Sequence, residues 1–163
     1  MNSPCPNLVN FEVKITTMIH YLIGDVRLVD SKGNFIGVGY GRLEVFHKKG
    51  KWTEGEWGTV CDDGDGTDGS ASVQGNNNMA TVVCRMLDIG YTEYSGYGGT
   101  VYNKAGLGKG TGKIWLDEVR CTGNERRLFD CQRSKIGSHD CEHKEDVGID
   151  CLLGLKEYDF YDD

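Results

Sequence analysis

The chain has 163 residues and a mass of 18.1 kDa, a length that suits one compact domain of ordinary size. Hydrophobic residues make up 38% of it and charged residues 26%, which allows a packed core and excludes wholesale disorder. The formal net charge of −7 excludes a typical nucleic-acid-binding protein, because affinity for phosphates depends on positive charge. No apolar run approaches the roughly 18 residues that a membrane-spanning helix needs.

The chain divides into three parts by composition. Residues 1–24 do not share the pattern of the rest and show no readable signal peptide, so we interpret them as an N-terminal extension or leader of unknown role. A regular pattern of apolar residues runs over 25–153 and predicts the domain itself. Residues 154–163 form an acidic C-terminal tail, interpreted as a disordered tail, with tyrosine sulfation as the alternative for Tyr158 and Tyr161.

Within the patterned region, alternation of apolar residues predicts short strands, and a 3.6-residue periodicity predicts one helix. The predicted strands cover 26–29, 41–46, 57–61, 114–119 and 147–151. The helix is predicted over 78–88, with Asn78 as its N-cap and Gly90 as its stop. A short helical turn is expected over 125–130, and the glycine-rich stretch 96–112 is expected to be a long surface loop. These elements define an α+β fold.

Seven cysteines are too many for a typical reduced cytosolic domain and predict an oxidising, extracellular setting. Six of them lie in the patterned region, and Cys5 lies outside it. Six cysteines allow 15 pairings, and spacing alone does not choose among them. The six are Cys61, Cys84, Cys121, Cys131, Cys141 and Cys151.

Several segments in fixed order resemble the scavenger receptor cysteine-rich (SRCR) domain family, in its six-cysteine subclass, group A. They are GRLEV (41–45), EWGTVCDD (56–63), ATVVCRML (80–87), GKIWLDEVRC (112–121), GNE (123–125), LFDC (128–131) and HKEDVGIDC (143–151). The resemblance covers residues 25–153 and implies a curved antiparallel β-sheet that cradles one α-helix. The chain departs from the family between Cys61 and Cys84, where 22 residues replace a shorter segment and an expected tryptophan is absent.

The resemblance also implies the cysteine pairing. It joins Cys61 to Cys141, Cys84 to Cys151, and Cys121 to Cys131, and it leaves Cys5 unpaired, as a free thiol or an intermolecular bridge that could support an oligomer. The alternative to disulfides is a zinc site, because His139, Cys141 and His143 alternate and Cys131 could add a fourth ligand.

Carboxylates form the first candidate site. Resemblance to calcium-binding family members places a Ca²⁺ ion at Asp62, Asp63 and Glu145. A second, weaker site is expected near Asp117, Asn124 and Glu125. Calcium accepts six to eight oxygen ligands and tolerates carboxylates that come from distant loops, so the chemistry is reasonable. The alternative is that these acids are solvated turn residues.

Basic residues form the second candidate site. Five of them cluster in sequence around the Cys121–Cys131 loop, where arginine forks match sulfate, phosphate or carboxylate. They are Arg120, Arg126, Arg127, Arg133 and Lys135. The alternative is a solvated face without a ligand.

No nucleophile elbow, zinc-protease helix or phosphate-binding loop is present, so the chain is not expected to be an enzyme. The resemblance implies an extracellular recognition module, secreted or part of an ectodomain, of the kind that acts in innate immunity or adhesion. Its expected partner is a polyanionic or microbial surface ligand, or an extracellular protein. The alternatives are a structural component of an extracellular complex and an accessory domain of a larger multidomain protein.

Overall fold

The structure is a computed structural model, and it describes residues 26–36, 39–48, 55–61, 73–92, 96–103 and 105–152. Several of the sequence-based predictions lie outside these residues. They concern the N-terminal extension with Cys5, the calcium ligands Asp62 and Asp63, and the acidic tail.

A six-stranded sheet forms the body of the domain, with a separate two-stranded sheet beside it. In chain order the elements are β1 (Val26–Val29), β2 (Tyr40–Lys48), β3 (Gly55–Val60), α1 (Val73–Leu87), β4 (Tyr91–Thr92), β5 (Gly96–Tyr97), β6 (Thr100–Tyr102), β7 (Lys113–Leu116) and β8 (Gly148–Asp150). Short 3₁₀ turns cover Leu128–Asp130 and His143–Glu145. The predicted α+β class, with a curved sheet around one helix, is confirmed.

The large sheet is mixed rather than wholly antiparallel. Its strands follow the order β6-β8-β2-β3-β7, with β1 also paired to β2. Strand β2 pairs antiparallel with β1, β3 and β8, whereas β3 and β7 run parallel. A parallel pair needs a long crossover, and the chain between β3 and β7 includes helix α1. The expectation of a purely antiparallel sheet is therefore corrected at this one pair.

Helix α1 begins five residues before its predicted start, so Asn78 lies inside the helix and is not its N-cap. The apolar stripe that guided the prediction marks only the buried face, and the polar run ahead of Met79 hid the first turn. The helix ends at Leu87 in a Schellman arrangement. The N–H of Ile89 donates to the Cys84 carbonyl at 3.0 Å and that of Asp88 to the Arg85 carbonyl at 3.2 Å.

The core lies between the helix and the concave face of the sheet. Helix residues Met79, Val82 and Val83 are fully buried and pack in one cluster with Leu43 and Val45 of β2. Three disulfides staple this core: Cys61–Cys141, Cys84–Cys151 and Cys121–Cys131. They follow the pairing that the family resemblance implies. The first two span 80 and 67 residues, for which the chain-entropy model gives roughly 4 kcal/mol each.

The glycine-rich stretch 96–112 is not the long surface loop that was predicted. It contains β5 and β6, and β6 pairs with β8 in the main sheet. A Cβ at Gly99 would lie 2.8 Å from both the Asp150 carbonyl oxygen and Cys84 Sγ. Glycine therefore marks close packing at this position, a role that composition alone does not distinguish from a turn.

Candidate functional site

The loop over residues 120–135 carries the predicted basic residues, and it is a fixed structure. The Cys121–Cys131 disulfide closes it, and Arg120 and Gln132 exchange two backbone hydrogen bonds at 2.8 and 3.1 Å. Leu128 is fully buried, and its N–H donates to Met86 Sδ at 3.2 Å. Because both its ends and its middle are held, the loop presents its polar side chains from a rigid base.

Helix α1 fixes the near end of this loop through Arg85. The Arg85 guanidinium donates to the carbonyl of Gly123 at 3.0 Å and also to the carbonyl of Glu125. The side chain of Arg85 therefore belongs to the scaffold. Arg126 and Arg127, which follow Glu125 directly in the chain, face solvent.

We call the five basic residues of this loop the cationic surface. Arg120, Arg126, Arg127 and Lys135 are exposed, and Arg133 is half-buried. Arg120 pairs with Glu118 at 3.0 Å and Arg127 with Asp130 at 3.4 Å, but both pairs are largely solvent-exposed. Exposed pairs of this kind stabilise a fold by only about 0.2–1 kcal/mol, so a ligand can displace them at low cost.

Arg126 and Lys135 are the least engaged members of the cationic surface. Among the described residues, neither side chain has a hydrogen bond or an ion pair. Arg133 is held more firmly, since it donates to the Ser134 carbonyl at 3.1 Å and stacks on Phe129 at 5.8 Å. The cationic surface thus combines one anchored arginine with several exposed cations.

The carboxylates of the second predicted calcium site lie beside different disulfides. Asp117 lies by Cys61–Cys141 and Glu125 by Cys121–Cys131, and in the described part of the chain no hydrogen bond links the two carboxylates. Burial raises the pKa of Asp117, which accepts the Glu118 N–H at 2.7 Å. Its Oδ1 also lies 3.5 Å from Cys141 Sγ.

The Glu125 carboxylate turns inward onto its own loop. It accepts hydrogen bonds from the N–H and hydroxyl of Thr122 at 2.8 and 2.9 Å and from the N–H of Gly123 at 2.9 Å. The pKa of Glu125 lies below its ordinary value. Partial burial alone would raise this pKa, but the hydrogen bonds to the carboxylate have the larger combined effect and lower it. Asn124 is exposed between these partners. Glu125 already serves the loop, which leaves few of its lone pairs for a cation.

Of the first predicted calcium site, the structure describes Glu145. One of its oxygens accepts the N–H of Glu142 at 2.7 Å in a capping box. Glu145 precedes Asp146, whose backbone bridges to Cys61, the residue just before Asp62 in the chain. The structure thus brings the neighbours of Glu145 and Asp62 together.

The structure excludes the alternative zinc site, because both of its candidate cysteine ligands are oxidised. Cys131 and Cys141 are both oxidised in disulfides, so neither offers the thiolate that zinc requires. The two cysteine-containing clusters of ligand-type atoms among the described residues each consist of one disulfide and one carboxylate. Neither cluster therefore offers the free thiolates that a zinc site would need.

The convex face of the sheet holds a buried ionic network that the sequence analysis missed. Glu44 pairs with Arg27 at 2.6 Å and with Arg42 at 3.0 Å, and Arg27 stacks over Trp57 at 4.2 Å. Arg42 is only 3% exposed and donates to the carbonyl of Lys109 at 2.8 Å. The alternation of polar residues along β2 could have revealed these side chains, since they share one face of the strand.

Asp146 lies beside this network, because its partner Gly110 follows Lys109, whose carbonyl accepts a hydrogen bond from Arg42. Its buried carboxylate accepts the N–H of Gly110 at 2.5 Å and lies 3.0 Å from Nδ1 of His143. A Cβ at Gly110 would approach Thr59 Cγ2 to 2.5 Å, so the backbone can reach Asp146 only because residue 110 is glycine. Arg42, Glu44 and Asp146 are buried and hold the fold.

The fold and its three disulfides define a class of disulfide-bonded domain that is typical of extracellular proteins. Comparison with known proteins identifies the family. The family model described as scavenger receptor cysteine-rich domain matches residues 37–152. The Macrophage receptor MARCO of Mesocricetus auratus is 42% identical over 115 residues, which cover 71% of this chain and 18% of the relative. The Macrophage receptor MARCO of Mus musculus is 41% identical over 118 residues, covering 71% and 17%.

Two solved structures agree with these relatives. The dimeric form of the SRCR domain of mouse MARCO has a TM-score of 0.50 and 38% identity, over 69% of this chain and 85% of that chain. The third SRCR domain of murine neurotrypsin has a TM-score of 0.52 and 36% identity, over 77% and 94%.

The chain therefore belongs to the scavenger receptor cysteine-rich domain family, as the sequence resemblance predicted. The matched domain is a non-catalytic module, as predicted. The chain spans less than a fifth of the length of the curated relatives it matches. No helix in the described part of the chain is long and apolar enough to cross a membrane.

Proposed function

We propose that this chain is an extracellular recognition module of the scavenger receptor type that binds anionic ligands through the cationic surface. One observation carries the proposal. Exposed cations, two of which have no partner among the described residues, are displayed on a loop that a disulfide and a buried leucine hold rigid. A rigid display lowers the ordering cost of binding, and guanidinium groups match sulfate and carboxylate geometry. Relatives named macrophage receptors support the receptor role.

The test is binding of the oxidised chain to immobilised dextran sulfate, a polyanion of defined charge. The Arg126→Ala/Arg127→Ala double variant is expected to bind at least about tenfold more weakly, at about 1 kcal/mol per cation next to an anionic surface. The matched control is Lys32→Ala/Lys109→Ala, which removes two exposed cations elsewhere and leaves binding near the wild-type value. Equal losses in both variants would show attraction by overall charge alone and would contradict a specific surface.

We further propose that Ca²⁺ binds at Asp62, Asp63 and Glu145 and assists this recognition. The Cys61–Cys141 disulfide and the backbone bridge between Cys61 and Asp146 support the proposal, because they join the two chain segments that carry the ligands. Bound Ca²⁺ would supply positive charge that a sulfated or carboxylated ligand can contact. Since Glu125 is already hydrogen-bonded within its loop, the second site at Asp117, Asn124 and Glu125 is the weaker part of this proposal.

Calorimetric titration with CaCl₂ tests the first site directly. Saturable binding is expected in the wild-type chain and is expected to be lost in the Asp62→Asn/Asp63→Asn/Glu145→Gln variant. The Asp117→Asn/Glu125→Gln variant is the comparison, because it neutralises the weaker site and is expected to keep the main binding event. Absence of binding in the wild-type chain at millimolar Ca²⁺ would contradict the calcium proposal while leaving the cationic surface to be judged by dextran sulfate.

A further inference from the structure

Charge is distributed along this chain in opposing blocks. Residues 118–135 carry five cations and three acids, and two of those acids, Glu118 and Asp130, lie in weak exposed pairs. The C-terminal segment 157–163 carries four acids and no base. Those acids are Glu157, Asp159, Asp162 and Asp163. Segment 157–163 is therefore opposite in charge to the loop that carries the cationic surface.

The disulfide framework brings this segment's attachment point close to the cationic surface. Cys151 is joined to Cys84, with 5.6 Å between their Cα atoms. Arg85, the next residue of the helix, reaches the carbonyls of Gly123 and Glu125. This path from Cys151 through Cys84 and the Arg85 side chain limits the separation between the Cys151 Cα and the loop segment that continues into Arg126 to at most roughly 20 Å.

The length of the intervening chain suits this distance. Glu157 lies six residues beyond Cys151, and six extended residues span up to about 20 Å. A short tether that can span the two sites gives an effective concentration in the millimolar range, so a contact with a dissociation constant of about that size would be populated. The segment also carries aromatic rings at Tyr158, Phe160 and Tyr161, whose faces can receive guanidinium groups.

We infer that the cationic surface binds the chain's own acidic segment 157–163, which acts as an internal competitor for anionic ligands. The inference deepens the proposed function, because it assigns a second occupant to the same surface. Contacts between exposed charges are individually weak and are screened by salt. The competition is therefore strongest at low ionic strength and yields to a ligand that presents many anionic groups.

Nuclear magnetic resonance on the full, oxidised chain tests the contact without any external ligand. The tail variant is Glu157→Gln/Asp159→Asn/Asp162→Asn/Asp163→Asn, which keeps the length and removes the charge. At low salt and without Ca²⁺, we expect it to shift the backbone and side-chain resonances of Arg126, Arg127 and Lys135. The matched control, Glu54→Gln/Asp65→Asn/Asp68→Asn/Glu93→Gln, removes the same charge at positions outside the proposed binding sites and is expected to leave those resonances in place.

Two results would overturn the inference. One is the absence of shifts in residues 118–135 of the tail variant. The other is a set of shifts that grows with protein concentration, which would assign the contact to a second copy of the chain. Dextran sulfate separates this inference from the proposed function. If the proposed function and the internal competition are both correct, the tail variant binds dextran sulfate about two- to fivefold more tightly than the wild-type chain at low salt. It then also binds more tightly than the matched control. Failure of every variant to bind dextran sulfate, with the shifts present, would overturn the proposed function alone.

Discussion

Arginine occurs in this domain in two contrasting settings. On the convex face of the sheet, Arg42 is 3% exposed and is committed to Glu44 and to the carbonyl of Lys109. On the 120–135 loop, the Arg127 side chain is 61% exposed and forms an ion pair with Asp130 at 3.4 Å. Burying a charge is costly unless partners replace its water, so the first setting demands a network and the second does not. The contrast indicates which arginines hold the fold and which are available to a ligand.

The largest effect that tests this contrast is expected from Arg42→Ala. It removes one partner of buried Glu44 and leaves the Lys109 carbonyl without its donor, so unfolding should become easier by about 3 kcal/mol. Urea unfolding of the oxidised protein measures this loss. The matched variant Arg127→Ala is expected to change stability by less than about 0.5 kcal/mol. Similar losses in the two variants would remove the distinction between the settings.

A smaller effect distinguishes two acids, Glu118 and Glu125, that lie near the loop cations in the chain. Glu125→Ala removes the carboxylate that accepts three hydrogen bonds from Thr122 and Gly123, and we expect a loss of about 1–2 kcal/mol in the free energy of unfolding. Glu118→Ala removes only the exposed pair with Arg120 and is expected to cost less than about 0.5 kcal/mol. Thermal or urea unfolding compares the two. A Glu118→Ala loss as large as that of Glu125→Ala would show that the exposed pair is structural after all.

The smallest expected effect concerns an exposed aspartate whose two carboxylate oxygens both accept hydrogen bonds. Asp30 accepts hydrogen bonds from the Asn34 side chain and from the N–H groups of Asn34 and Lys32, and these lower its pKa from the ordinary value of 3.8. A lowered folded-state pKa gives stability that is present above 3.8 and is lost as the pH falls through the folded-state pKa. In acid unfolding curves, Asp30→Asn should therefore lose less stability than wild type over this range. Equal losses of stability in the two proteins over this pH range would contradict a stabilising role for the Asp30 hydrogen bonds.

Much of this fold could be predicted because local patterns and family segments agreed. The strand at Val26–Val29 matches its predicted bounds, and the three disulfides follow the implied pairing. The helix start was missed because periodicity reports the buried face and not the first hydrogen-bonded turn. The parallel β3–β7 pair and the β6 strand were missed because pairing between distant strands leaves no local signal.

The candidate site was predictable in composition but not in geometry. The sequence placed five cations near one small disulfide loop, and the structure distinguishes half-buried Arg133 from its exposed neighbours. The sequence also grouped Asp117 with Glu125, whereas the structure places them beside different disulfides. Burial and hydrogen-bond partners depend on contacts between distant residues, so residue spacing could not separate exposed charges from structural ones.

The salt dependence of dextran sulfate binding tests most directly whether the exposed arginines contact anionic groups. Each cation–anion contact releases counterions, so the affinity should fall linearly with salt on logarithmic axes. The account predicts a clear slope for the wild-type chain and a shallower slope for Arg126→Ala/Arg127→Ala, with the wild-type slope kept by Lys32→Ala/Lys109→Ala. A wild-type affinity that is independent of salt, or the same slope in all three proteins, would contradict it.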